Sequence, residues 1–414
     1  MTLSPADPIP RLVFKPGKDK QLRRGYPWVF ANQVARVEGA PARGDVVEVA
    51  SAAGEVYGQA LYHDRSLIAG RFLTSDAERA VDEAFFRERV EQAVARRRAV
   101  YPDATHVRLV FGESDGLPGT VVDRYGPPGY SGGVLTFTTL SYGMEQRREW
   151  LLDALEDLLR PDAVVERNDV PLRTKDGLEE RTGVLRGAYD GEVEIEESGV
   201  VFSVDVLAGP KTGFFIDQRE NRAAVARFAA GRRVLDVFCA DGGFGLLAAR
   251  AGADHVHFLD VAPAALERVR ANALRNGLED RISTEAADAL DRLGDLAAQR
   301  EAGYDLVVLD PPGFAKSRRQ VEAAVKAYQR INISALRLLP PGGLLATASC
   351  SQALSEDDFL KLLHYCARKA GVHLRRLYRG EQPPDHPSLE AMPETRYLKC
   401  YLFEVVGDAL PGPL

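Results

Sequence analysis

Two short stretches of this 414-residue chain carry side chains that could make and break bonds: "LDPPGFAKSRR" at 309–319 and "TASCS" at 347–351. Cys350 is a soft nucleophile once ionised, but free cysteine is also among the most buried residue types, so residue type alone favours packing. Its company decides. Pro311 and Pro312 fix the backbone after Asp310 and remove two N–H donors, which leaves a carboxylate and carbonyls to face a ligand. That set suits a planar, hydrogen-bonding nitrogen base. Phe314 offers it a face to stack on, and Lys316, Arg318 and Arg319 offer cations to phosphate. A thiolate beside such a base can add to carbon 6 of a pyrimidine. The addition turns carbon 5, otherwise a poor nucleophile, into an enamine-like carbon able to attack an electrophile. Asp310 would hold the ring nitrogen and stabilise or protonate the adduct. A free thiol is only about a few per cent ionised at neutral pH, so the site must lower its pKa or take its proton.

The other three cysteines read differently. Cys366 lies at helical spacing from Phe359, Leu362 and Leu363, and Cys400 alternates with Leu398 and Leu402, so both are expected in the core. Cys239 sits in a glycine turn and is expected to line it. Four scattered cysteines without a CxxC pair make neither a disulfide framework nor a zinc site, and they match a reducing cytoplasm.

A second constellation could hold a ligand rather than attack one. In "LDVFCADGGFG" (235–245), Gly242 and Gly243 let the backbone turn tightly and approach a ligand without a Cβ in the way. The next β-like run ends in Asp260, where a carboxylate can take both hydroxyls of a ribose. The third ends in Asp288, placed to accept from an adenine amino group. The glycine spacing is not GxGxxG, and Asp236 would repel a pyrophosphate but receive an ammonium. The expected cofactor is therefore S-adenosylmethionine rather than NAD. Around these acids, Phe238, Cys239, Gly242, Val261 and Ala289 are expected to contact it. Upstream, "GPKTGFFIDQREN" (209–221) reads either as an ordinary helix entry or as a cofactor lid contributing Lys211, Phe215 and Gln218.

The elements that must position these groups follow from periodicity. From about 191 to 414, the runs RRVLDVF, HVHFLD, ISTEAAD, YDLVVLD and GLLATASCS alternate with helical segments such as LERVRANALRNG. Continuous apolar strands alternating with helices imply a parallel sheet covered on both faces, whose ligands sit at the carboxyl ends of the strands. Ser355 and Asp358 form a capping pair, and two late strands, HLRRLYR and YLKCYLFEVV, close the sheet. That closing pair fits the methyltransferase version of the doubly wound fold better than the dehydrogenase version. Residues 1–75 show short β-like runs (WVFANQV, DVVEVA, LIAGRFL) and predict a small barrel or sandwich. Residues 76–190 predict a helix at AVDEAFFRERVEQAVARRRAV, alternating strands, and a second helix at MEQRREWLLDALEDLL.

Composition sets the outer limits. The chain is 45% apolar and 27% charged, and no apolar run approaches the roughly 20 residues of a membrane span. The N-terminus has no basic start followed by an apolar core, so no secretion signal is expected. The formal net charge of −7 argues mildly against nucleic acid, yet residues 1–36 hold seven cations against Asp7 and Asp19. A basic end on an acidic body can gather phosphate contacts in one module, or form a solvated surface run.

Together these motifs resemble the bacterial 23S rRNA cytosine-C5 methyltransferases of the single-cysteine type, which carry an N-terminal PUA domain. The resemblance spans nearly the whole chain and rests on "LRRGYPWVFANQV", "GESDGLPGTVVDRYG", "RNDVPLR", "GPKTGFFIDQREN", "LDPPGFAK", "TASCS" and "DHPSLEAMPETRYLK". It implies an α/β fold of three domains. These are an all-β PUA RNA-binding domain (1–75, ending in LYHDRSLIAGRFL), an α+β central domain with a β-hairpin (76–190), and a class I, Rossmann-like methyltransferase domain (191–414). It implies Cys350 as nucleophile with Asp310 as its motif partner, and 23S ribosomal RNA, naked or in a subunit precursor, as substrate. A homodimer is compatible with it; a membrane partner is not expected. One departure stands out: Cys239-Ala240-Asp241 replaces the polar triplet usual before the paired glycines. Two other readings stay open on the sequence. One is an RNA methyltransferase acting on an exocyclic amine of guanine or adenine, with Cys350 inert. The other is an RNA-binding assembly factor without turnover.

Overall fold

The computed structural model describes residues 9–299, 303–314 and 320–406. They form two compact units. The first takes in the chain up to Ile195 together with Val204–Phe214 and Pro384–Thr395; the second takes Glu196–Ser203, Phe215–Pro383 and the chain from Arg396.

Two sheets build the first unit. Strands β1 (Arg11–Phe14), β2 (Trp28–Phe30), β3 (Val34–Glu38), β4 (Val46–Ala50), β5 (Val56–Tyr62) and β6 (Ile68–Thr74) pair in the order β2-β6-β5-β4-β1-β3. All neighbours are antiparallel except β1 and β4. Alternation in VVEVA sends Val47 and Val49 inward, against Leu12, Phe14, Val29 and Ala60. The run WVFANQV, expected as one strand, is two. Gln33 Oε1 accepts from the Phe30 backbone N–H at 2.9 Å and folds Ala31–Gln33 into a single 3-10 turn between β2 and β3. Lys18, Lys20 and Arg24 are exposed on this sheet's first loop and form no ion pair with a described residue.

The second sheet joins β7 (His106–Phe111), β8 (Thr120–Tyr125), β9 (Val134–Thr139), β10 (Ala163–Arg167) and β11 (Thr182–Gly187) in the order β11-β10-β9-β8-β7. The helix Glu83–Val100 begins where the Asp82 carboxylate accepts from Phe85 N–H at 3.0 Å. The stretch MEQRREWLLDALEDLL, expected as one helix, is broken. Tyr142–Glu145 stops before Arg147, whose Nη1 donates to the carbonyls of Gly44 and Gly143, and the helix resumes at Arg148–Leu159. A two-stranded hairpin, β12 (Val193–Glu197) and β13 (Val200–Val204), follows.

The second unit is built on seven strands: β14 (Arg233–Val237), β15 (His255–Asp260), β16 (Ile282–Ala286), β17 (Leu306–Leu309), β18 (Leu344–Ser349), β19 (His373–Gly380) and β20 (Lys399–Val406). Their order is β16-β15-β14-β17-β18-β20-β19, parallel throughout until β20 inserts antiparallel between β18 and β19. The closing pair read from the sequence is therefore present. Both faces of the inner strands are covered, so Leu235, Val237, Leu309 and Leu345 are fully buried. Burying each such side chain stabilises the fold by about 1.5–3 kcal/mol. Strand order reverses between β14 and β17, and a crevice opens at the carboxyl ends of strands where that happens. The acids and the thiol singled out above lie at or just beyond the carboxyl ends of these strands.

Candidate active site

The turn after β14 is shaped by backbone conformation. Phe238 (φ 61°) and Ala240 (φ 48°) adopt left-handed conformations, as does Gly242 (φ 81°). Non-glycine residues persist there only when their surroundings enforce it. The enforcing partner is Asp260 at the end of β15. Its Oδ2 accepts from Ala240 N–H at 3.1 Å and its Oδ1 from Ala262 N–H at 2.9 Å. Asp236 anchors the other end of the turn: it is 1% exposed, and its Oδ2 accepts from Gly245 N–H at 2.8 Å. A Cβ on Gly245 would lie 2.3 Å from the Phe258 ring and 2.9 Å from Asp236 Oδ2, so only glycine fits.

Electrostatics here favours a cation. Burial pushes the Asp236 carboxyl up to about 8, and the neighbouring Asp310 and Asp260 add to the shift. The Gly245 N–H and Arg222 oppose it. Arg222 is itself committed to Glu197 through a buried bidentate pair at 2.6 and 2.7 Å. Burial, with Asp236 and Asp260 nearby, also drives the Cys239 thiol far above its ordinary value, so it stays protonated. Asp241 pairs with Arg268 at 2.5 Å, which makes the departing triplet part of the fold's support.

The other expected cofactor residues fall as follows. Val261 is 70% exposed beside Asp260, an apolar face next to a carboxylate. Asp288 is exposed and caps the helix Ala289–Gln299, its Oδ1 accepting from Leu290 and Asp291 N–H groups, while Ala289 is buried as the first helical residue. The segment 209–221 is divided. Lys211 (φ 52°) belongs to the first unit, whereas Phe215 and Gln218 belong to the second, in a 3-10 turn that leads into the helix Arg219–Ala226.

Gln218 leads to the second constellation. Its Nε2 donates to Asp310 Oδ1 at 2.9 Å, its Oε1 accepts from Asn221 Nδ2 at 2.6 Å, and Tyr378 Oη donates to Asn221 Oδ1 at 3.1 Å. A chain of oriented dipoles thus sets the rotamer of the Asp310 carboxylate. Sequence reasoning does not single out Asn221 within its motif, and does not reach Tyr378, which comes from a distant segment. Phe314, expected as a free stacking face, packs edge-on against Tyr328 with centroids 4.9 Å apart and is half-buried. Lys316, Arg318 and Arg319 lie outside the described residues.

Cys350 follows the last residue of β18. It is half-exposed, whereas Cys239, Cys366 and Cys400 are buried. The turn after the paired prolines runs against it: a Cβ on Gly313 would lie 3.5 Å from Cys350 Sγ and 3.7 Å from Ser351 Oγ. The motif carrying Asp310 and the thiol therefore share one rim. Tyr328 Oη lies 3.4 Å from Ser351 Oγ, and burial raises its phenol, with Cys350 and Asp310 adding to the effect. One charged neighbour is not foreseen by the sequence. Lys399, 8% exposed, opens β20 opposite Ser349 and donates from Nζ to the carbonyls of Ser351 and Leu354. Its only sequence signal is a lysine at the head of an apolar strand. Asp385 and His386, which open the motif DHPSLEAMPETRYLK, lie in the first unit. There Asp385 accepts from Arg108 N–H and Arg97 Nη2 and lies 2.9 Å from His386 Nδ1.

Comparison with known proteins agrees with this geometry. Residues 169–404 match the S-adenosylmethionine-dependent methyltransferase family, and residues 12–75 match the PUA-like domain. Ribosomal RNA large subunit methyltransferase I of Shewanella amazonensis is 41% identical over 393 residues, covering 94% of this chain and 98% of that protein. Its namesake in Vibrio cholerae is 39% identical over 404 residues, covering 96% and 100%. A Streptococcus mutans structure described as an S-adenosylmethionine-dependent methyltransferase shares the fold. Its TM-score is 0.79 at 21% identity, over 95% of this chain and all of that one. A second, described as a methyltransferase complexed with S-adenosylhomocysteine, has a TM-score of 0.80 at 21% identity over the same shares. No helix among the described residues is long and apolar enough to cross a membrane. The chain belongs to the S-adenosylmethionine-dependent methyltransferase family, among the proteins named ribosomal RNA large subunit methyltransferase I.

Proposed function

We propose that this protein methylates carbon 5 of a cytosine in 23S ribosomal RNA, with Cys350 as the covalent nucleophile. The observation that carries this reading is the half-exposed Cys350 thiol against the proline turn that bears Asp310, while the other three cysteines are buried. An enzyme acting on an exocyclic amine needs no thiol there. The relatives' names supply the ribosomal RNA, and the polar rim supplies the ring chemistry.

The residues around β14 and β15 fit S-adenosylmethionine. A crowd of carboxylates suits its cationic end: Asp236 retains its proton in the absence of a cation because burial, Asp310 and Asp260 oppose its ionisation. Asp260 would hold the ribose, Val261 would lie against the adenine, Asp288 would accept from its amino group, and Gly242 leaves room for the methionine end. Phe238, Cys239 and Ala289 would line the remainder, with Phe215 and Gln218 from the upstream segment that also carries Lys211. When bound, the cofactor supplies an electrophilic methyl group on a sulfonium.

Cys350 Sγ, as thiolate, forms a bond to carbon 6, and the ring's double-bond electrons move toward carbon 5 and the ring nitrogen. Asp310, held in place by Gln218, hydrogen-bonds that nitrogen and stabilises the adduct. Once carbon 5 carries the methyl group, loss of its proton and expulsion of Sγ restore the aromatic ring and the free enzyme. Residues 1–75 act as the RNA-docking PUA domain, 76–190 as the central domain and 191–414 as the catalytic domain, in a cytoplasmic enzyme. Lys18, Lys20 and Arg24 supply phosphate contacts beside a groove of about 470 Å³ lined by Lys18, Gln21, Phe30 and Leu67. The test is methyl transfer from labelled S-adenosylmethionine to 23S ribosomal RNA, followed by nucleoside analysis. The label should appear as 5-methylcytidine. A methylated exocyclic amine, or no product from naked RNA or subunit precursors, would contradict the reading.

A further inference from the structure

A lysine ammonium is rarely buried without a carboxylate partner, because neutral acceptors replace only part of the hydration it loses. Lys399 breaks that rule. It is 8% exposed at the head of β20, among the buried Leu398, Cys400, Tyr401 and Leu402, and it forms no salt bridge with a described residue. Its Nζ is bound instead by two main-chain carbonyls, Ser351 at 2.7 Å and Leu354 at 2.9 Å. Those carbonyls belong to the turn that begins at Cys350, and the strand register sets Lys399 opposite Ser349, the residue before it. Lys399 is thus tied to both sides of Cys350, by strand pairing before it and by its ammonium after it.

Among the described residues, the titratable groups around Cys350 and Lys399 come from four elements. Tyr328, on the helix Val321–Leu338, feels Cys350 but is kept neutral by burial. Asp310, after β17, brings a carboxyl group that acts on the same Tyr328. Glu356, at the start of the helix Glu356–Ala370, is anionic and is bound by Arg379 and the Tyr401 hydroxyl. Lys399 feels both Cys350 and Glu356. Two of these neighbours disfavour a thiolate and one is neutral. The remaining one is a cation.

We propose that Lys399 is the positioning residue that makes Cys350 a nucleophile. Its buried ammonium supplies the positive field in which the thiol ionises, and its two carbonyl bonds hold the Ser351–Leu354 turn so that Sγ faces the base. This rests on the reading of Cys350 as the attacking group. The step it governs is simple: the S–H bond breaks, the proton leaves to solvent, and the electron pair stays on Sγ. Burial brings the Lys399 ammonium itself down to about 8, so it is charged at neutral pH and is lost as pH rises through 8. A thiolate at Cys350 and the ammonium therefore favour each other's charged form.

The experiment measures thiol ionisation with no RNA present, so it stands apart from the covalent mechanism. Iodoacetamide alkylation of Cys350 is followed by mass spectrometry across a pH range of roughly 5.5–10, spanning ordinary and lowered thiol pKa values, in the full-length protein, with Cys350→Ala as background. Lys399→Gln should raise the alkylation midpoint by about one pH unit or more, the scale of losing a nearby opposite charge. It should lower kcat at neutral pH by roughly tenfold, one decade of thiolate per unit of pKa, while KM for S-adenosylmethionine stays within about twofold. Part of the kcat loss should return at higher pH. Lys399→Arg should keep the wild-type midpoint. A midpoint unmoved in a folded Lys399→Gln protein would overturn the proposal. Should that variant not fold, the reciprocal measurement decides. The Lys399 ammonium, followed by NMR of labelled lysine, should titrate lower in Cys350→Ala than in wild type, because its anion is gone. An unchanged Lys399 titration would overturn the proposal equally. Methyl transfer retained by Cys350→Ala would overturn the covalent mechanism instead, whatever the alkylation shows.

Discussion

Two cysteines end two parallel strands of the same sheet, Cys239 after β14 and Cys350 after β18, and their surroundings are opposite. Cys239 is 6% exposed, in a turn held by left-handed backbone at Phe238 and Ala240, and burial, Asp236 and Asp260 push its thiol upward. Cys350 is half-exposed, against a proline turn, with the buried Lys399 ammonium tied to the residues that follow it. The first environment destabilises a thiolate and welcomes a cationic ligand. The second sets a buried cation within electrostatic reach of the thiol. Residue type says little about a cysteine's work; the sign of the charge next to it says a great deal.

The comparison predicts its largest effect in turnover. Cys350→Ala should lower kcat on the order of 10⁴-fold or more, as loss of a covalent nucleophile does. Cys239→Ser should cost less than about tenfold, since it removes a protonated lining group and no bond-forming atom. Comparable losses in the two variants would erase the distinction between the turns. Next in size, Asp260→Ala should weaken S-adenosylmethionine binding by about 1–3 kcal/mol, the range for losing charged hydrogen bonds. It also frees the Ala240 and Ala262 amides. Calorimetry showing unchanged affinity would remove β15 from the cofactor site.

Asp236 sharpens the contrast through pH. Its folded-state pKa of about 8 lies above an ordinary carboxyl, so the ligand-free protein holds a proton there that a cationic ligand would displace. Cofactor affinity should therefore rise with pH, by up to about tenfold per unit until that carboxyl ionises, and level off above it. The same shift makes this group's contribution to apo stability greatest at acid pH and lost as pH rises through about 8. Asp236→Asn should flatten the affinity profile; a pH-independent wild type would show that no cation meets Asp236. The smallest effect lies outside both turns. Replacing Lys18, Lys20 and Arg24 by Ala should reduce the salt slope of RNA binding by about 0.7–0.9 for each phosphate no longer neutralised, with cofactor affinity unchanged.

Much of this is readable in sequence because parallel strands announce themselves as continuous apolar runs. RRVLDVF, HVHFLD and YDLVVLD form β14, β15 and β17, and the acids at their ends fall at the carboxyl edge. The capping pair at Ser355 and Asp358 forms as read, with Ser355 Oγ accepting from Asp358 N–H. What stays hidden depends on contacts between remote segments. Lys399 reaches Ser351 across 48 residues, Gln218 reaches Asp310 across 92, and Asn221 reaches the Glu381 carbonyl across 160. No local periodicity encodes such pairs. The break in the helix at 142–159 escapes the sequence for the same reason, since Arg147 is held by the Gly44 carbonyl 103 residues away. Phe314 reads as a free face only because its partner Tyr328 lies on the following helix, beyond the motif itself.

The central claim is a bond between Cys350 Sγ and carbon 6 of cytosine, and the most direct measurement traps it. Fluorine at carbon 5 cannot leave as a proton does, so the adduct formed after methylation cannot collapse. RNA bearing 5-fluorocytosine at the target position, incubated with enzyme and S-adenosylmethionine, should give a complex that survives denaturation. Peptide mapping should locate the cross-link on Cys350, Cys239→Ser should trap as wild type does, and Cys350→Ala should not trap. A denaturation-resistant complex that persists in Cys350→Ala, or its absence from a wild-type enzyme that methylates the unmodified RNA, would contradict the account.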